Sequence, residues 1–102
     1  MYISVYKDVL FIEGTHKNAE HLSKVKVELM GIGAQLRNLR DVKEQLYLKI
    51  KAAGGNCLDD FEYGQKQRLL AFDDVAFYGS GVVAKLPLEL YEKYFKSDED
   101  DE

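Results

Sequence analysis

A chain of 102 residues with 46% apolar side chains has the size and composition of one folded domain, which excludes an intrinsically disordered protein. Its single cysteine, Cys57, excludes an intrachain disulfide and with it the cysteine-stapled class of small secreted domain. The net charge of -4 arises in the last five residues, Asp98 to Glu102, which leave a body of 14 basic and 13 acidic side chains with no general pull toward nucleic acid or an anionic membrane.

Residues 2–13 are rich in Tyr, Ile, Val, Leu and Phe, and the turn-type pair Lys7-Asp8 divides them into a short hairpin or one broken strand. The polar stretch Thr15 to His21 after Gly14 reads as a loop. Over 22–30, Val25, Val27 and Leu29 alternate with Lys24, Lys26 and Glu28, the period of a half-buried strand. Leu22, Val25 and Leu29 also fit a helical spacing, but the β-branched residues favour the strand. From Leu36 onward Leu39, Val42, Leu46, Ile50 and Ala53 recur every three or four residues, predicting a long amphipathic helix that Gly54-Gly55 ends as a left-handed cap.

Beyond the helix, Cys57 to Tyr63 reads as a strand and Gly64 to Arg68 as a polar turn. Leu69 to Phe72 and Val75 to Leu86 read as two further strands, the latter with a bulge or kink at Gly79-Ser80-Gly81 where backbones approach closely. Pro87 opens a short helix whose apolar members are Leu88, Leu90, Tyr91, Tyr94 and Phe95. The expected architecture is α+β: a mostly antiparallel sheet with one long amphipathic helix packed on one face and a short C-terminal helix. Residues 1–96 form one domain in this reading and 97–102 a solvated acidic disordered tail.

A domain this small hides only about 60 to 70% of the surface its unfolded chain exposes, so self-association would bury more. Residues 1–8 lack the pattern of a signal peptide. Apolar runs stay far below the ~20 residues that cross a bilayer. The expected setting is the cytoplasm, with no membrane and no nucleic acid among the partners.

Two segments resemble the YbjQ family, whose members often carry a heavy-metal-binding label. One is Lys51-Ala52-Ala53-Gly54-Gly55-Asn56-Cys57-Leu58, a charged helix running through glycines into a strand; the other is the Gly-small-Gly-Val pattern of Tyr78 to Leu86. Both lie within roughly the C-terminal half of the chain. The resemblance implies a β-rich α+β subunit in a ring-like homo-oligomer, commonly a pentamer, and no established reaction.

Among residues that carry chemistry, His16, His21 and Cys57 are the candidate metal ligands. Structural zinc takes about four Cys or His ligands in paired spacings, so a site built from these three calls for residues from several subunits. Asp59-Asp60 and Asp73-Asp74 are paired carboxylates, but adjacent strand residues point to opposite faces, and they read as strand-edge or turn aspartates. Gly79-Ser80-Gly81 leads into a strand rather than a helix, and it lacks the frame of a phosphate loop or a nucleophile elbow. The basic residues Arg37, Arg40, Lys43, Lys49 and Lys51 are interrupted by Asp41 and Glu44, as on a solvated helix face.

Tyr78, Tyr91, Tyr94 and Phe95 form an aromatic group that either meets a neighbouring subunit or caps its own core. No nucleophile, base and orienting group converge, so neither a catalytic residue nor a cofactor is expected. The expected function is that of a non-enzymatic, self-associating module. The alternative is a metal or small-ligand binder with its site at the subunit interface.

Overall fold

A computed structural model describes residues 2–29, 39–67 and 75–100, with the side chains of 65–67, 75–76 and 97–100 left aside. Five strands and two helices follow one another as β1 (Tyr2–Tyr6), β2 (Val9–Glu13), β3 (Glu20–Leu29), α1 (Leu39–Ala52), β4 (Cys57–Gln67), β5 (Val75–Lys85) and α2 (Leu88–Asp100). The strands form one sheet in the order β1-β2-β4-β5-β3, parallel only between β2 and β4. This is the α+β architecture expected from the sequence.

β1 and β2 form a hairpin, and its turn sets Lys7 at a φ of 53°. The turn is tied to α1 from both sides. Lys7 Nζ lies 2.9 Å from Glu44 and Lys51 Nζ lies 2.9 Å from Asp8, while the Tyr6 hydroxyl donates to Glu44.

α1 buries Val42, Leu46 and Ile50 against Phe11, Leu58, Phe61, Val83 and Val27 of the sheet. Burying each of these helix side chains stabilises the fold by about 1.5 to 3 kcal/mol. Gly79 is what lets the helix lie so close: a Cβ there would stand 2.5 Å from Val42 Cγ1 and 2.9 Å from Leu46 Cδ1. The helix ends at Gly54, whose φ of 81° supplies the left-handed cap, and its expected first turn from Leu36 lies outside the described residues.

Several local expectations change. Glu20 and His21 open β3 instead of closing the preceding loop, because they pair with Lys85 and Ala84. Gly64 to Gln67 continue β4 as a strand instead of turning, since Tyr78 to Val75 stand opposite them in register. The pairing of β5 with β3 runs unbroken through Gly79-Ser80-Gly81, and the irregularity falls on the facing strand, between Asp59 and Glu62. The expected strand Leu69 to Phe72 lies outside the described residues.

The opposite face of the sheet is divided. Over β1 and β2, α2 covers a second cluster of Leu10, Ile12, Cys57, Ala84 and Leu86 with Tyr91, Tyr94 and Phe95. The Pro87 carbonyl accepts the first bond of this helix, from Tyr91 N at 3.0 Å. The helix runs through Asp100, into the segment read from the sequence as tail.

Candidate functional site

Among the described residues one carboxylate, that of Asp59, lies out of solvent altogether. Asp59 stands on the face that α2 covers, at the start of the bulge in β4, where Asp60 takes a φ of 51°. That conformation turns the Asp60 amide onto the Gly14 carbonyl at 2.9 Å, and Thr15 Oγ1 donates to Asp60 Oδ1 at 2.5 Å. The loop between β2 and β3 is thereby folded down over Asp59.

Both oxygens of Asp59 accept a hydrogen bond: Oδ1 from the His16 amide at 2.9 Å, and Oδ2 from His21 Nε2 at 2.8 Å. A carboxylate removed from water without such donors would cost several kcal/mol. The His16 ring points the other way. Its Nδ1 accepts from the Asn18 amide at 3.0 Å, which puts the ring proton on Nε2 and lets it donate to the Tyr94 hydroxyl at 2.9 Å. The two rings meet edge to face, centroids 5.6 Å apart. A continuous set of hydrogen bonds therefore joins β3, the β4 bulge, the loop and α2.

Of the candidate ligands, His16 has both ring nitrogens engaged and is buried. His21 keeps 45% of its side chain exposed and uses only Nε2. Cys57 points to the same face as Asp59 but lies fully buried among Leu10, Ile12, Ala84 and Leu86. Burial, reinforced by the nearby Asp59 charge, pushes the Cys57 thiol up to about 12, so at neutral pH it is neither a nucleophile nor a ready thiolate ligand. Two of the three thus bond Asp59 directly and the third lies two residues before it on β4, yet among the described residues no three His, Cys, Asp or Glu side chains cluster as a metal site.

The aromatic candidates divide in the same way. Tyr91 donates to the Asp8 carbonyl at 2.5 Å and lies 5.8 Å from Phe95, and burial raises the pKa of its hydroxyl. Together with Tyr94 these residues cover the cluster beneath α2. Tyr78 stands apart, half-buried on β5 and beside Gly64, where an added Cβ would come within 3.0 Å of its ring. Asp73 and Asp74 lie outside the described residues.

The residue that sequence reasoning missed is Asp59, read as an edge or turn position. Its signal was faint: the acidic pair Asp59-Asp60 set between the apolar Cys57-Leu58 and Phe61, with partners of Asp59 38 and 43 residues away. Chemically the cluster ties the loop, the β4 bulge, β3 and α2 together through these hydrogen bonds. No described helix is long and apolar enough to cross a membrane.

No family model and no curated protein matches the sequence. Among solved structures, the fold resembles that of a protein of unknown function from Pediococcus pentosaceus that belongs to the DUF74 family. The superposition has a TM-score of 0.58 and covers 79% of this chain and 100% of that one, at 15% sequence identity. DUF74 is the family of YbjQ-like proteins, and at this identity the likeness is one of fold alone.

Proposed function

We propose that this chain is a non-enzymatic module that works as a homo-oligomer and is related to the YbjQ-like proteins. The observation that carries the reading is the outer edge of β3. It is ten residues long, ends the sheet, and has no strand beside it among the described residues. An open edge of this length presents a row of unpaired backbone groups that invites another chain, and Leu22 on it is 40% exposed. The fold likeness and the two sequence segments support a closed, ring-like assembly of the kind the resemblance implies, in the cytoplasm. Native mass spectrometry over a range of concentrations tests it: a closed oligomer is expected, and a monomer throughout would refute it.

A second reading, a metal or small-ligand site shared between subunits, is favoured by the setting of His21. Metal-bound histidines regularly hand their other ring N–H to a carboxylate. His21 does so to Asp59 and leaves Nδ1 without a partner among the described residues. Each subunit would supply one His21, with the remaining ligands coming from its neighbours. Calorimetric titration with zinc, copper and nickel should then give saturable heat that His21→Ala abolishes; no heat from the unmodified protein would remove this reading.

A further inference from the structure

The half of the sheet that α2 leaves bare carries its charges in two opposed columns. Val25, Val27 and Leu29 of β3 turn toward α1, so Lys24, Lys26 and Glu28 turn the other way. On β4, Phe61 turns toward α1 and Glu62 away from it. Between these strands β5 contributes the uncharged Ser80, Gly81 and Val82 to the floor. The result is a shallow trough of about 500 Å³ walled by Lys24 and Lys26 on one side and by Asp60 and Glu62 on the other.

The register sharpens the pattern. Lys26 and Glu62 both pair with Ser80 and so face each other across β5, whereas the β4 residue in the Lys24 row is Asp59, buried beneath the loop. Within one chain the two walls stand two strand spacings apart, about 10 Å, too far for Lys26 and Glu62 to form a direct ion pair. Lys26 instead reaches along its own strand to Glu28 at 3.2 Å, and Glu62 has no ion-pair partner among the described residues.

We propose that this trough is a two-fold interface for a second copy of the chain, with the symmetry axis running along β5. Rotation by 180° about that axis places Lys26 of each copy over Glu62 of the other, in the row of Ser80, and brings Ser80 opposite Ser80. Sheets packed face to face lie about 10 Å apart, roughly the thickness of a helix. Because α2 stands on the β1-β2 side of the same face, each α2 then comes beside the open β3 edge of the other copy. The inference rests on the self-association reading and adds the surface, the symmetry and the pairs.

The test is a charge exchange read by native mass spectrometry and sedimentation in low salt. Lys26→Glu and Glu62→Lys should each weaken self-association about tenfold or more, since each sets like charges opposite one another. Mixing the two single variants should restore association as a mixed species, and the double variant should associate like the unmodified protein. In parallel, Ser80→Cys treated with a short bismaleimide should yield a crosslinked dimer, because Cys57 is buried and does not compete. If the protein associates but the single variants do so undiminished and Ser80→Cys does not crosslink, the trough is not the interface and the self-association reading stands. A protein that is monomeric at every concentration overturns both.

Discussion

Replacing Asp59 with alanine removes the acceptor of two hydrogen bonds at once, and the two losses differ in size. The His16 amide is buried and would be left without a partner, which costs about 1 to 3 kcal/mol. His21 is 45% exposed and can turn to water, so its share is small. The vacated space adds a little more, and the expected total is about 2 to 3 kcal/mol, a large fraction of the ~5 to 15 kcal/mol that holds a domain together. Asp59→Asn separates bond from charge. Its amide oxygen can still accept from the His16 amide, and its NH2 can donate to His21 once that ring moves its proton to Nδ1, at a cost of about 1 kcal/mol or less. Urea unfolding followed by far-ultraviolet circular dichroism measures both variants, at an unchanged m-value. A loss under about 0.5 kcal/mol for the alanine variant, within the range of ordinary surface substitutions, would refute the role given to Asp59. An asparagine variant as damaged as the alanine one would show that the charge, not the hydrogen bond to the loop, holds the cluster.

The remaining predictions concern the two layers on either side of the sheet. Gly79→Ala should destabilise by about 1 to 3 kcal/mol through overpacking against α1, and the cost should shrink when Val42→Ala is present, because Val42 Cγ1 stands 2.5 Å from the added carbon; additive losses in a double-mutant cycle would contradict that contact. Tyr94→Phe should cost about 0.5 to 1.5 kcal/mol by releasing His16 Nε2, and amide exchange should quicken along α2; unchanged exchange there would mean the bond does not fasten the helix. Cys57 titrates upward from 9.0 to about 12 on folding, so the folded state holds the thiol proton more tightly than the unfolded one. Its contribution to stability is complete below about pH 9 and is lost as pH rises toward 12, at up to about 1.4 kcal/mol per unit. Cys57→Ala should lack that part of the alkaline decline, and a decline identical in both proteins would contradict the shift.

The elements that were legible in the sequence are those whose pattern is local. The spacing of Val42, Leu46 and Ile50 announced α1, and the alternation of Val25, Val27 and Leu29 announced β3. What was illegible depends on partners far along the chain. Gly64 to Gln67 look like a turn until Tyr78 to Val75 are set beside them. Asp59 looks like an edge residue until the loop at His16 folds over it and β3 brings His21 to its second oxygen. His16 and His21, five positions apart, looked like one potential ligand pair. The structure sends one ring to α2 and the other to the carboxylate.

The strand order has a consequence for how the chain is made. Among the described residues β3 pairs with β5 alone, its partners lying between Phe77 and Lys85, so during synthesis it waits with both edges bare until β5 has left the ribosome. α1 waits as well, for the surface it packs on includes Leu58, Phe61 and Val83. Only the β1-β2 hairpin can close early. The rest must assemble in one late, non-local step, which makes folding slow and leaves β3, for that interval, the segment with the greatest need of a chaperone.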